Sequence, residues 1–494
     1  MEKRLILVLV ALISISASGQ WVQVGEDIDG EAKYDISGSS VSLSSDGTVV
    51  AIGAPMNDAN LTRRGHVRVY KNTGGAWTQK GQDIDGVIEY EWSGHSVSLN
   101  STGSIVAIGS AESNLGGQDT GNVRIYEYNG STWTQMGQVI VGSIFDNAGY
   151  SVSLSANGFI VAVGCPEKGD LNTTDGRGHV QVYEYNGSNW IQTGQDIVGQ
   201  LSNDYSGTAV SLSSDGTIVA IGARRNSVNG PYRGHVRVYE NSGGNWVKIG
   251  QDIVGEAAYD YSGTSVSLSS DGSIVAIGAD WNDGAYGINS GHVRVYENNG
   301  GTWTQLGQDI DGESEDSWEG SSVSLSADGS VVAIGAERDN NANGFSSGQV
   351  RLYQFNGGTW NQVGEDIHGE AAGDYSGTSI SLSSDGSIVA IGAPENQGTD
   401  YNSGHVRVFE NSSLGVDDLE NTPISVYPNP VEDKLTIEST GIPITKSIIY
   451  SIQGQVVLET SDNDEIDVAN LPSGVYFIQI TAENRTQALK FVKK

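Results

Sequence analysis

A single cysteine, Cys165, stands in 494 residues, so no intrachain disulfide can form and stability must come from packing and hydrogen bonding. Positive charge is also scarce: 26 Lys and Arg face 60 Asp and Glu, a net charge of -34, most of it between residues 21 and 416. Such a surface repels phosphate backbones and anionic lipid, which argues against nucleic acid as a partner. Long apolar runs are lacking. The one at residues 5–15 is too short to span a bilayer, so no transmembrane segment is expected in the mature protein. Proline is limited to nine residues, and no Ala/Leu/Glu/Lys-rich stretch supports an amphipathic helix.

What the chain has instead is glycine, 67 residues of it, with abundant Ser, Val and Ile. That balance predicts an all-β protein with many tight turns. Lys3 and Arg4 precede the apolar run, and Ser16, Ala17, Ser18 and Gly19 follow it. This is the pattern of a signal peptide over residues 1–19, with no cysteine after it to carry a lipid.

Tryptophans recur every 56 to 57 residues, at Trp21, Trp77, Trp133, Trp190, Trp246, Trp303 and Trp360. Each of the seven copies contains four β-type segments; the fifth reads WVKIGQDI, SVSLS, IVAIGA and HVRVYE. Alternation in the middle two is the period of a strand with one face buried. Between them lies a tight hairpin, Asp271-Gly272 in this copy and Asp46-Gly47, Thr102-Gly103, Asn157-Gly158, Asp215-Gly216, Asp328-Gly329 and Asp385-Gly386 elsewhere, where positive φ favours such pairs.

Seven four-stranded units predict a seven-bladed β-propeller over residues 20–410. A linear solenoid is the competing architecture. Trp21 has no HVRVYE-type strand before it, and His405 to Glu410 has no tryptophan strand after it. Pairing the two would close a ring, which an open solenoid does not need.

The repeat core, as in DYSGTSVSLSSDGSIVAIGA, resembles the FG-GAP-like repeat family of integrin-type and bacterial surface propellers, with Ser-Gly in place of Phe-Gly. Its Gly-Ala-Pro ending stands at Gly53-Ala54-Pro55 and Gly392-Ala393-Pro394, and Gly164-Cys165-Pro166 is a near copy. After a polar linker over residues 411–421, the tail over residues 422–494 resembles a type A sorting domain of the type IX secretion system. The matching residues are Tyr427, Pro428, Asn429, Pro430, Gly474, Tyr476 and the basic end at Lys490, Lys493 and Lys494. That resemblance implies a small C-terminal β-sandwich that engages the secretion machinery. It also implies a Gram-negative source and a product secreted or attached to the outer cell surface.

Five of the seven histidines share one repeat position, His66, His179, His235, His292 and His405, where the other copies carry Asn122 and Gln349. An amide can replace imidazole as a hydrogen-bonding group but poorly as a base or transition-metal ligand, so a structural hydrogen-bonding role is expected. Arg68, Arg124, Arg237, Arg294, Arg351 and Arg407, two residues further on, are expected to stabilise blades. The acids Asp35, Glu91, Asp146, Asp204, Asp260 and Asp374 (Ser317 with Asp316 in the sixth copy) are expected to cap turns. No copy carries the D-x-D-x-D-G loop through which FG-GAP propellers of the integrin type bind calcium, so no cofactor is expected, with calcium as the alternative. Cys165, at a position otherwise held by alanine, reads as a small buried residue.

One step after the acids lies an aromatic position: Trp92, Tyr205, Tyr261, Trp318 and Tyr375, with Ile36 and Asn147 in the other copies. Emerging on one face, these residues are the candidate ligand site, against a plainer role in blade packing. The variable loops after IVAIGA should all lie on a common face. The expectation is a non-enzymatic binding or adhesion module contacting glycan or protein, with no catalytic residue and no metal. A polysaccharide hydrolase or lyase, or a purely structural surface component, stands as the alternative.

Overall fold

The computed structural model describes residues 20–57, 63–167, 175–411, 425–438, 444–451, 456–460, 465–482 and 485–494. The expected signal peptide and most of the expected linker lie outside the described residues. The chain divides into two compact units, residues 1–415 and 416–494. Among the described residues every regular element is a strand.

The first unit consists of small antiparallel sheets in a propeller-like arrangement, each taking three strands from one copy of the repeat and its tryptophan strand from the next, the last sheet from the first. In the first sheet the strands Ser40–Leu43, Val49–Ala54, His66–Thr73 and Ala76–Gln79 follow in chain order, and the two-residue strand Ile84–Asp85 also pairs with the third. The second strand is buried along its whole length, which explains its unbroken apolar and small residues. The first strand alternates, with Val41 and Leu43 buried and Ser40 and Ser42 half-buried.

Those half-buried serines join neighbouring sheets. Ser42 Oγ accepts the Leu99 amide at 2.9 Å, and the relation repeats until Ser381 Oγ accepts the Leu43 amide at 2.9 Å. A second closed ring is made by backbone alone: the amide of Ser45 donates to the carbonyl of Ser101, and so on through Ala156, Ser214, Ser270, Ala327 and Ser384 back to Ser45. A third runs at the outer edge, where each repeat tryptophan donates its indole N–H to a carbonyl of the preceding copy, Trp77 to Val24 at 2.8 Å and Trp21 to Val363 at 2.9 Å. These three rings rule out the open solenoid, whose two terminal repeats would not bond to each other.

Closure also operates within one sheet. Val22–Gln23 pairs antiparallel with His405–Glu410, with Val22 opposite Glu410 and Gln23 opposite Phe409, and Ile28 lies opposite Val406. The last sheet therefore takes strands from residues nearly 400 positions apart in sequence.

A further set of sheet-to-sheet bonds has one gap. Ser40, Ser96, Ser151, Ser265, Ser322 and Ser379 each donate Oγ–H to a glycine carbonyl of the next copy at 2.6 to 2.8 Å. In the fourth sheet the same place is held by Ala209, which has no hydroxyl. We predict that Ala209→Ser, by donating to the Gly263 carbonyl, stabilises the unit by about 1 kcal/mol. An unchanged denaturant midpoint would show that the site does not accept the hydroxyl.

The second unit holds two sheets. Ser425–Tyr427, Lys434–Glu438 and Glu465–Asp467 form one, and Val456–Thr460, Ile444–Ser451, Gly474–Ala482 and Arg485–Lys493 form the other. Both contribute to one core that includes Leu435, Ile437, Ile449, Ile466, Tyr476, Ile478 and Phe491.

Candidate functional site

The aromatic repeat position sits where two copies are stitched together. The amides of Trp92, Tyr205, Tyr261, Trp318 and Tyr375 donate to carbonyls in the loop that follows the second strand of the preceding sheet, as Tyr261 does to Tyr232 at 3.0 Å and Trp318 to Asn289 at 3.2 Å. All seven residues at this position adopt left-handed backbone, with φ from 49° at Ile36 to 58° at Trp318. Bulky side chains avoid that region, and holding seven there is a local cost imposed by the stitched loop. Each side chain is half-buried, apart from the buried Asn147, so it packs on its neighbours and still presents a face or an edge.

Three of the five aromatics, Tyr261, Trp318 and Tyr375, fall into one run that the loops complete. Tyr232 stacks on Tyr261 at 5.5 Å between ring centres with planes 9° apart, and Tyr259 lies 5.9 Å from Tyr232. Tyr261 contacts Trp281 at 5.2 Å, and Trp281 contacts Trp318 at 5.5 Å. The guanidinium of Arg338 then lies over Trp318 at 3.7 Å and reaches Tyr375 at 5.9 Å. Arg225 lies over Tyr205 at 4.4 Å. Tyr232, Tyr259 and Trp281 are exposed. Trp92, between the first two copies, is outside this run.

Beside the run lies a second feature without a repeat. The position directly after the second strand is Pro55, Pro166 and Pro394 in three copies but Arg224, Asp280 and Glu337 in the fourth, fifth and sixth. Asp280 is buried and accepts the Thr264 hydroxyl at 2.8 Å. Burial pushes its carboxyl up to about 6, with Glu337 adding to the rise and Arg224 opposing it. Glu337 is likewise raised by burial.

A carboxyl whose folded pKa exceeds its unfolded one costs no stability while protonated in both states, and costs most once the pH passes the folded value. Asp280→Asn is therefore expected to stabilise the unit by about 2 kcal/mol at pH 8, a gain that shrinks between pH 6 and pH 4 and vanishes below. Denaturant titrations of both proteins across that range check it; a gain independent of pH would contradict the assigned cause.

The recurrent acids are caps, as expected. Asp35 accepts the amides of Glu31 and Ala32 at 3.1 and 2.8 Å, and Asp374 those of Glu370 and Ala371 at 3.1 and 2.8 Å. In the sixth copy Ser317 keeps the turn by donating to the Ser314 carbonyl at 2.8 Å, and the acid has moved to Glu319, buried against Arg351 at 2.8 Å. Burial drives Glu319 up to about 7. The recurrent arginines also join sheets: Arg68 donates to the Asp29 carbonyl at 2.7 Å and Arg407 to that of His368 at 2.6 Å. Cys165 is buried in a core cluster.

The recurrent histidines depart from expectation. Burial lowers His66, His235, His292 and His405 to about 4, which leaves them neutral at neutral pH. The predicted hydrogen bonds are missing at Nδ1 of His292 and at both ring nitrogens of His405. The nearest acceptors stand too far off: Glu256 Oε2 is 3.9 Å from His292 Nδ1 and Asp27 Oδ2 3.6 Å from His405 Nδ1.

A cavity of about 570 Å³ opens elsewhere, between the last and first copies, lined by Glu26, Asp27, Tyr70 and Trp77 among others. Gln82, Gln138, Gln195, Gln251 and Gln308 each donate to a tryptophan carbonyl at 2.6 to 3.0 Å, and Glu26 has no N–H with which to do the same for Trp77. No residue of the aromatic and arginine run lines this gap.

In the second unit several of the residues expected to carry the sorting signal are drawn together. Asn429 Oδ1 accepts the Val492 amide at 2.9 Å, Gly474 pairs with Lys493, and Lys494 donates its amide to Val431 at 2.9 Å. Tyr476 stacks near Phe491 at 5.7 Å and donates its hydroxyl to the Pro472 carbonyl at 2.9 Å. Tyr427 is exposed, and the Tyr427-Pro428 and Asn429-Pro430 bonds are cis.

Residues 425–494 match the family model of the secretion system C-terminal sorting domain. The tail is a type IX sorting domain, and the chain is exported to the cell surface or secreted, as proteins of Bacteroidetes with this domain are. Over 89 residues the chain is 34% identical to ulvan lyase NLR42 of Nonlabens ulvanivorans, a match that covers 17% of either protein. Among solved structures, a putative 6-phosphogluconolactonase of Bacteroides uniformis aligns over 69% of this chain and 88% of its own, with 13% identity and a TM-score of 0.47. Chaetomium thermophilum Raptor aligns over 80% of this chain and 29% of its own, with 12% identity and a TM-score of 0.52. At such identities the likeness is one of fold alone. The expectation that the chain is not an enzyme is corrected by the match to a protein named for lyase activity.

Proposed function

We propose that this is an exported polysaccharide-engaging protein. Residues 20–410 form a seven-bladed β-propeller carrying the sugar platform, residues 411–421 a linker, and residues 422–494 a β-sandwich that delivers the propeller through the type IX machinery. Residues 1–19 are read as the signal for the first export step.

The observation that carries this reading is the continuous run from Tyr259 through Tyr232, Tyr261, Trp281 and Trp318 to Arg338. Aromatic faces stack on the C–H faces of pyranose rings, and a row of them suits successive sugars of one chain. The guanidiniums of Arg225 and Arg338, held over the rings of Tyr205 and Trp318, add donors for sugar hydroxyls or carboxylates. Long-range attraction is not required, because these contacts act within a Debye length.

A second reading is favoured by two observations: the partial relative named as a lyase, and the raised carboxyls of buried Asp280 and half-buried Glu337 beside the aromatic run. In this reading the platform positions a polysaccharide for cleavage, with a raised carboxyl as proton donor or acceptor. Incubating the full chain with a polysaccharide panel separates the two. Retention without shortened products supports binding alone, products that vanish in Asp280→Asn support cleavage, and neither result removes the sugar reading.

A further inference from the structure

One imidazole and two carboxylates converge at three junctions between copies of the repeat. Glu31, His66 and Asp83 make one cluster, Glu256, His292 and Asp309 a second, and Asp27, Asp29 and His405 a third. In each, one ligand atom per residue lies within 4.8 Å of the others. The imidazoles are 1 to 2% exposed, and Nδ1 of His292 and of His405 has no hydrogen-bond partner although carboxylate oxygens face it.

The spacing has a physical meaning. His405 Nδ1 lies 3.6 Å from Asp27 Oδ2 and 3.9 Å from Glu370 Oε2, and His292 Nδ1 lies 3.9 Å from Glu256 Oε2. These separations exceed a hydrogen bond, yet they suit two ligands that each sit about 2.0 to 2.2 Å from one ion between them. An arginine approaches the other oxygen of two carboxylates that face an imidazole, Arg68 at 3.4 Å from Glu31 Oε1 and Arg407 at 3.6 Å from Glu370 Oε1, Glu370 being a further acid beside the third cluster. The oxygen facing the imidazole is left for an ion, and its carboxylate is oriented.

The repeats supply an internal control. In the second copy the histidine position is Asn122, and the two acid positions are Val87 and Val139, so all three donors are replaced together. Copies with His179 or His235 have an aspartate but carry Ser143 or Gln200 at the glutamate position. The sixth copy keeps both acids, Glu313 and Asp366, beside Gln349, so the full set of one imidazole and two carboxylates occurs at the junctions of His66, His292 and His405 alone.

We propose that these three junctions bind first-row divalent cations, Zn²⁺ being the probe of choice. One imidazole and two carboxylates fit a borderline cation, whereas calcium takes oxygen ligands alone. Since each ion would tie residues from neighbouring copies, binding should also stabilise the ring.

The test uses the untagged full chain, stripped with a chelator, dialysed against Zn²⁺ and assayed for bound metal by mass spectrometry. The native chain is expected to retain up to three zinc ions, one for each cluster. His292→Gln should remove one of them, and His66→Gln/His292→Gln/His405→Gln all three. Glutamine is tolerated there, because Gln349 occupies the equivalent place in the sixth copy. Zinc should raise the thermal transition of the native chain and leave that of the triple variant unmoved. Equal zinc content in the native chain and the folded triple variant would overturn the proposal, as would a native transition that zinc does not shift.

Discussion

Deleting residues 21–28 from the full chain is expected to abolish cooperative folding of the whole first unit, not merely to fray one sheet. The deleted stretch supplies both short strands that complete the last sheet, through Val22, Gln23 and Ile28. It also buries Trp21 and Ile28, which are 8% and 5% exposed. Losing two such side chains costs about 5 kcal/mol, a large share of the 5–15 kcal/mol that separates folded from unfolded domains. The deletion leaves the edge of His405–Glu410 open and interrupts the outer ring of indole bonds. Circular dichroism and thermal denaturation provide the readout. A transition of unchanged midpoint and sharpness would mean that the repeats are held by nearest neighbours alone, as in a solenoid.

Replacing Trp281 and Trp318 together by alanine is expected to lower affinity for polysaccharide at least tenfold, about 1.4 kcal/mol or more, with little change in fold. Both rings project from loops, Trp281 is 39% exposed, and neither belongs to a core cluster. Arg338→Ala should cost binding as well, since it removes the donor laid over Trp318. Trp92→Ala, on the far side from the run, should leave binding unchanged. The contrast matters because sequence position alone would treat Trp92 and Trp318 as equivalent.

That contrast marks how far the sequence can be read. The sheet-building segments were legible because the tryptophan period and the Asp-Gly hairpins repeat, and because two orphan strands predicted the pairing of Val22–Gln23 with His405–Glu410. The caps at Asp35 and Asp374, the arginine contacts and the burial of Cys165 followed from the same repetition. The aromatic run was only half visible. Tyr232, Trp281 and Arg338 lie in loops of differing length and composition, where no period points to them. A usable signal was present after the second strand, where proline gives way to Arg224, Asp280 and Glu337 in three consecutive copies.

The histidines failed for a different reason. Their position was clear, but their surroundings come from neighbouring copies, and only the fold brings Glu256 and Asp309 to His292. The exchange of amide for imidazole at Asn122 looked like tolerance of hydrogen-bonding equivalents. Set beside Val87 and Val139, it is the joint loss of three donors.

Affinity electrophoresis of the full chain through gels containing polygalacturonate, xylan, laminarin or dextran sulfate tests the central claim most directly. Retardation by at least one of these polysaccharides, saturable with soluble competitor and lost in the Trp281→Ala/Trp318→Ala variant, is the predicted result. Equal mobility of both proteins in every gel would contradict the assignment of this surface to sugar.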